Sequence, residues 1–276
     1  MSAYSLFDKM HVDDLCRDPF PHIVVEDALP CELASELLET IPDFNSAKDK
    51  MRCTAYQFEA NGEPKKGSKY ILDPLTKENR ARMSTWMNFL EGLLKVEETK
   101  KLWSCFEEEI ASLYPAIYEQ LKDNSIWRAG KRGIASVEEN DFLLDAEIVY
   151  HEPANERTQE RGPHLKVRNK ILECHLMLRD ENNDTAGGDL ELYRFNKGCF
   201  ILYEPQQQIK NRAVLEHVKT IPYKHNQCVA WLNSASTVMA YSPREASPYP
   251  LQYMATVVQL PKPIFALPSH SGTPSK

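Results

Sequence analysis

Arg161-Gly162-Pro163-His164-Leu165-Lys166-Val167-Arg168-Asn169-Lys170, continued by an apolar run to Arg179, decides the reading of this chain. It is a polar loop that delivers one histidine to the start of a β-strand. The strand is expected over Ile171 to Leu178, because apolar and β-branched residues dominate it and no helical period fits. Asp180 to Gly188 follows as a turn, with Gly187-Gly188 able to take backbone angles closed to other residues. Asp189-Leu190-Glu191-Leu192-Tyr193 then opens a second strand, Leu190 to Phe195.

Working outward, Phe142 to Tyr150, Cys199 to Tyr203, Val214 to Ile221, Cys228 to Leu232 and Tyr253 to Leu260 read as further strands, and His151 to Gly162 as a charged loop. Short strands separated by turn signals predict an antiparallel sandwich or jelly roll. Upstream, Ile23 to Val25 is a short strand, and Pro30 opens a helix over Cys31 to Glu39, where its missing N–H costs nothing. Residues 44 to 74 are polar and weakly patterned, with a turn cluster at Asn61 to Gly67. Ala81 to Leu94 and Thr99 to Leu121 carry apolar side chains at three- and four-residue steps, the second divided at Pro115. These helices are expected to pack on one outer face of a sheet.

The fold class that results is α+β, mainly β. A single domain is expected over residues 1–260, helical over 19–135 and β over 141–260, with a flexible tail over 261–276. The composition is 42% hydrophobic and 26% charged, enough to build a full core. A net charge of −7 and a pI near 5.7 oppose a general nucleic-acid surface. No apolar run reaches the roughly 20 residues that span a bilayer, and Met1 to Asp14 has no secretory pattern. Seven cysteines without a CxxC pair fit reduced thiols and a cytoplasmic location. No heptad repeat or GxGxxG or GxxxxGK[ST] pattern is present, and Ser234 and Ser236 have no His/Asp partner pattern. His22 reads as a structural histidine beside a strand, and His217 and His225 as exposed.

Several stretches together carry a resemblance: PFPHIVVEDALP before a leucine-bearing helix, RGPHxxxxNK, LMLRDENNDTAGGDLELY, CVAWLNSASTVMAYSPRE and YPLQYMATVVQL. From about Pro19 to Leu260 the chain resembles the iron(II)/2-oxoglutarate-dependent dioxygenases, in the prolyl-4-hydroxylase-like branch. The resemblance implies a double-stranded β-helix (jelly roll, cupin-like) with helices on one face. It also implies an Fe(II) site of His-x-Asp plus a later histidine, open to co-substrate and oxygen, and a basic residue for the far carboxylate of 2-oxoglutarate.

His164 stands where the first histidine belongs. The carboxylate position holds Lys166, the second histidine position Met239, and the basic position Leu251 and Gln252. An ammonium about 4 Å from a doubly charged cation is opposed by roughly 8 kcal/mol at an effective dielectric near 20, and a thioether is a poor substitute for imidazole on Fe(II). The departures imply a degenerate member that binds neither iron nor 2-oxoglutarate in the standard way. It would serve as a binding or partner-regulating module, with a protein partner or small-molecule ligand at a His164/Lys166/Met239 pocket. Two alternatives stay open. The pocket is reused by an enzyme, through Lys166 as acid, base or amine nucleophile or through a displaced metal site of His164, Glu173 and His175. Or the chain is a hydroxylase whose ligands lie elsewhere.

Overall fold

The computed structural model describes residues 4–41, 55–58, 84–132, 135–197 and 208–265. In chain order the strands are β1 (His22–Val25), β2 (Ala55–Phe58), β3 (Ala129–Lys131), β4 (Phe142–His151), β5 (His164–Leu165), β6 (Lys170–Met177), β7 (Leu190–Phe195), β8 (Leu215–Ile221), β9 (Gln227–Leu232), β10 (Val238–Tyr241) and β11 (Leu251–Gln259). The helices are α1 (Cys31–Glu39), α2 (Ser84–Leu93), α3 (Val96–Cys105), α4 (Glu107–Leu113) and α5 (Pro115–Leu121).

Two sheets form a jelly roll. The large one runs β1-β9-β6-β11-β4-β2, with β3 added parallel to β4, and the small one runs β5-β10-β7-β8. Every other pair is antiparallel.

Strand alternation divides the large sheet into two working faces. Leu144, Ala146 and Ile148 of β4, Leu172, Cys174 and Leu176 of β6, and Cys228, Ala230 and Leu232 of β9 point to one side. They share an apolar cluster with Leu37 of α1, Trp86 and Leu90 of α2, Trp103 of α3 and Ile110 of α4. The opposite face, with Val149, Met177, Trp231, Tyr253 and Ala255, meets Leu190, Leu192, Met239 and Tyr241 of the small sheet. Both faces of the large sheet are covered, so its strands read as nearly continuous apolar runs. Asp145, Glu147, Glu173 and His175 are among the polar interruptions, and all four are buried.

The expected helix over Thr99 to Leu121 is three pieces. Phe106 (φ −119°, ψ 10°) and Tyr114 (φ −135°, ψ 57°) leave helical geometry, and Pro115 opens α5. The breaks let Phe106 lie fully buried and let the Tyr114 hydroxyl donate to Asn233 O at 2.7 Å. Strand β10 falls in a stretch that offered no strand pattern of its own. The strand expected over Cys199 to Tyr203 and the Asn61 to Gly67 turn lie outside the described residues. Of the expected tail, Pro261 to Phe265 is described. Ile264 is buried, and its N–H donates to Arg168 O at 2.8 Å.

Gly187 and Gly188 have φ of +88° and +79°. A Cβ on Gly187 would lie 1.9 Å from Pro243 O, so a tight backbone crossing requires glycine there. Asp189, next in line, accepts the Tyr223 N–H at 2.9 Å and fixes the start of β7. Among the described residues no helix is long and apolar enough to cross a membrane.

Candidate functional site

The Arg161–Lys170 segment carries β5, an edge strand of the small sheet. Strand β5 pairs with β10 so that His164 faces Met239 and Leu165 faces Val238. The Arg161 carbonyl accepts the Tyr241 N–H at 3.0 Å, and the Pro163 carbonyl accepts that of Ile209 at 2.7 Å. These bonds fix His164 and Lys166 on one side, two residues apart. On β6 the same period places Glu173 and His175 on the inner face and Cys174 among the helices.

All four inner side chains line one cavity of about 260 Å³. Arg161, Lys170, Arg132, Glu147, Tyr241 and Tyr253 complete its polar wall. The volume is just below the roughly 300–1,000 Å³ of ligand pockets. Arg132 pairs with Asp145 at 2.9 Å.

Glu173 is the hub. Its Oε1 lies 3.4 Å from Lys166 Nζ, 3.3 Å from Lys170 Nζ and 3.7 Å from His175 Nε2. Burial pushes the carboxyl up, but the two ammoniums outweigh it and hold it well below the usual carboxylate range. Lys166 is the mirror case. Burial, with Lys170 and Arg161 adding repulsion, takes it from 10.5 to about 8 despite Glu173. Its ammonium also stands 5.0 Å from the centroid of the Trp231 ring.

His175 is packed at 4.8 Å from Trp231 and 4.5 Å from Tyr253, ring centre to ring centre. Burial lowers it to about 4, so it is neutral at physiological pH. With Nε2–H facing the Glu173 carboxylate, its Nδ1 accepts the Tyr241 hydroxyl at 2.7 Å. His164 is also kept neutral, by burial first and then by the Lys166 and Arg161 charges. Its Nδ1 is 2.9 Å from Gly162 O. A carbonyl only accepts, so Nδ1 carries the proton and Nε2 is left as an acceptor. That Nε2, like Glu173 Oε2, is buried with no hydrogen-bond partner.

The expected site residues therefore separate. His164, Lys166, Glu173 and His175 come together. Met239 does not line the cavity: it is 1% exposed and packs with Met177, Trp231 and Tyr241 between the sheets. Leu251 joins the same apolar cluster, and the Gln252 N–H donates to the Tyr223 hydroxyl at 3.0 Å. Besides Lys166, the cavity's basic groups are Arg132, Arg161 and Lys170, none of them a sequence candidate. Arg161 and Lys170 bound the stretch that places His164. Tyr253 could have been found by the inward alternation of β11.

His22, His217 and His225 do not line the cavity. His22 is fully buried, with Nδ1 2.8 Å from Phe20 O and Nε2 3.1 Å from Lys219 Nζ. His217 is exposed, whereas His225 is half-buried in the turn before β9, with its Nδ1 inside the protein. Ser234 Oγ bonds Ser236 and Thr237, each at 3.0 Å.

The residues present do not suit Fe(II). The carboxylate nearest the His164 side of the cavity is bound by two ammoniums, and any cation there would displace or face them. Among the described residues no three His, Cys, Asp or Glu side chains form a group that could hold a metal, so His164, Glu173 and His175 do not rebuild a displaced one.

No protein-family model and no curated protein matches the chain. Among solved structures it is similar to a prolyl 4-hydroxylase of Phytophthora capsici, with 11% identity and a TM-score of 0.47 over 92% of this chain and 64% of that one. It is also similar to a Trichoplax adhaerens prolyl hydroxylase in complex with a hypoxia-inducible-factor peptide (11% identity, TM-score 0.40, 91% of this chain and 87% of that one). A Pseudomonas putida prolyl-4-hydroxylase gives 11% identity and a TM-score of 0.39 over 90% of this chain and 96% of that one. This chain thus spans a little under two thirds of the Phytophthora protein's length. The chemistry of the site rests on its own residues.

Proposed function

We propose that this chain uses an oxygenase-like β-helix as a binding scaffold, has left iron- and 2-oxoglutarate-dependent hydroxylation, and holds a small anionic ligand in the cavity. One observation carries this reading: Lys166, two residues beyond His164, is buried against Glu173 where a metal site would need a free carboxylate. Four basic side chains and two carboxylates line the cavity, with Arg132 paired to Asp145, and this basic lining supports an anionic guest. A protein partner that reads the loaded and empty forms would make the module regulatory. Cysteine usage without a CxxC pair supports a cytoplasmic location.

The test is anaerobic purification followed by calorimetry with Fe(II) and 2-oxoglutarate. The expected result is no stoichiometric iron, and any 2-oxoglutarate affinity the same with and without Fe(II). Tight, one-to-one iron that strengthens 2-oxoglutarate binding would return the chain to the hydroxylases.

A further inference from the structure

Lys166 is an amine taken out of water without being sealed from the cavity. Its side chain keeps 10% of its surface and lines the cavity wall. Its Nζ lies 3.4 Å from Glu173 Oε1 and shares that oxygen with Lys170 Nζ, which is 3.3 Å from it. The Trp231 ring centre is 5.0 Å from the same nitrogen. Desolvation and a neighbouring cation are the two conditions that turn a lysine from a solvated charge into a nucleophile. Both are met, and they take the ammonium from 10.5 to about 8. Glu173 is itself held in place. His175 Nε2 lies 3.7 Å from its Oε1, and the Tyr241 hydroxyl donates to His175 Nδ1 at 2.7 Å. A surface lysine shows the contrast: Lys101, with 42% of its side chain exposed and Asp8 at 2.7 Å, is shifted upward instead.

From an amine set between a buried carboxylate, a second ammonium and a cavity, we infer that Lys166 is an imine-forming site for small aldehydes. In the step, the Lys166 nitrogen attacks the carbonyl carbon and a C–N bond forms. The carbonyl oxygen takes up two protons from the nitrogen and leaves as water, and the C=N bond closes. An ammonium and an aldehyde thus give an iminium and one water, with nothing oxidised or reduced. Glu173 Oε1 is placed to take a proton from the nitrogen and return it to the departing oxygen. The iminium carries its charge where the ammonium stood, so Glu173 and the Trp231 ring face it as before. A cavity of about 260 Å³ limits the aldehyde to a few carbons. The inference goes beyond the anion-site reading and does not need it, since an uncharged aldehyde serves.

The experiment treats the full chain at neutral pH with limiting propanal or glyoxylate and cyanoborohydride, which fixes an imine as a stable secondary amine. Peptide mass spectrometry then maps the labelled lysines. Lys166 is expected to be labelled about tenfold or more faster than Lys101, because a far larger share of it is unprotonated at neutral pH. Its labelling rate should level off above about pH 8, while that of Lys101 keeps rising. Lys166→Met removes a charge that the fold opposes, so it is expected to fold; it should lose the fast label and leave that of Lys101 unchanged. Labelling of Lys166 no faster than of Lys101 overturns the inference. So does a fast label that falls on Lys170 or survives in Lys166→Met. Selective labelling by both aldehydes, or by glyoxylate alone, supports the imine site together with the anion reading. Selective labelling by propanal alone supports the imine site and overturns the anion reading.

Discussion

Glu173→Gln and Lys166→Met remove the two ends of one ion pair, and the structure predicts opposite signs for them. At an effective dielectric near 20, the 3.4 and 3.3 Å separations give Glu173 attractions of roughly 5 kcal/mol to each lysine. The two ammoniums share one oxygen, so they are no more than 6.7 Å apart and repel by at least roughly 2.5 kcal/mol. Removing the carboxylate leaves that repulsion without a counter-charge. Lys166 can respond by giving up its proton, which caps the net loss at about 3–5 kcal/mol, as for other buried pairs broken from one side. Removing Lys166 leaves a simple Lys170–Glu173 pair. The descent of Lys166 from 10.5 to about 8 means its charge is opposed in the fold by roughly 3 kcal/mol. Methionine relieves this, and the expected gain is about 1–3 kcal/mol, or a Tm rise of about 2–4 °C for each kcal/mol. Urea denaturation of both variants is the assay. A Lys166→Met chain less stable than wild type by more than about 1 kcal/mol would refute the charge accounting, as would a Glu173→Gln chain that loses less than that.

The same lysine gives a pH signature. Between pH 8 and 10.5 the unfolded chain binds a proton at Lys166 that the folded chain does not, so this residue makes stability rise with pH across that window. The increment should be absent from Lys166→Met when the two unfolding curves are compared. His175 acts in acid: with a folded value near 4 against 6.5, its contribution is present above pH 6.5 and is lost as pH falls toward 4. His175→Gln should flatten that part of the Tm–pH curve. Gly187→Ala combines a φ of +88° with a Cβ 1.9 Å from a backbone oxygen, and should cost about 2 kcal/mol or more in the same urea experiment.

The fold was legible because its covered sheet writes long apolar strands, and because Gly187-Gly188 marks a turn that nothing else fits. The helix over Cys31–Glu39 and the strand over Leu190–Phe195 were placed to the residue. Strand β10 escaped because Val238–Tyr241 is four residues long and is defined by its partners β5 and β7 rather than by its own pattern. At the site, local period found Glu173 and His175, since two-residue alternation fixes their side of β6. It could not find Arg161, Tyr241 and Tyr253 as their neighbours, because those residues arrive from three separate segments through pairings set elsewhere in the sheets. Met239 was misplaced for a related reason. It is opposite His164 in register, yet the space it fills belongs to the apolar layer between the sheets.

His164 and Lys166, at and just after β5, and Glu173 on β6 form one arrangement seen from two strands. Position 166 lies on the inner side with His164, so whatever charge it carries is buried and needs a partner. With lysine there, the partner must be an anion, and β6 supplies one at Glu173, across the layer between the sheets. Once Glu173 holds Lys166 and Lys170, its Oε1 is spent on ammoniums, while its Oε2 and His164 Nε2 are buried without hydrogen-bond partners. A metal would have to compete with both lysines for that carboxylate.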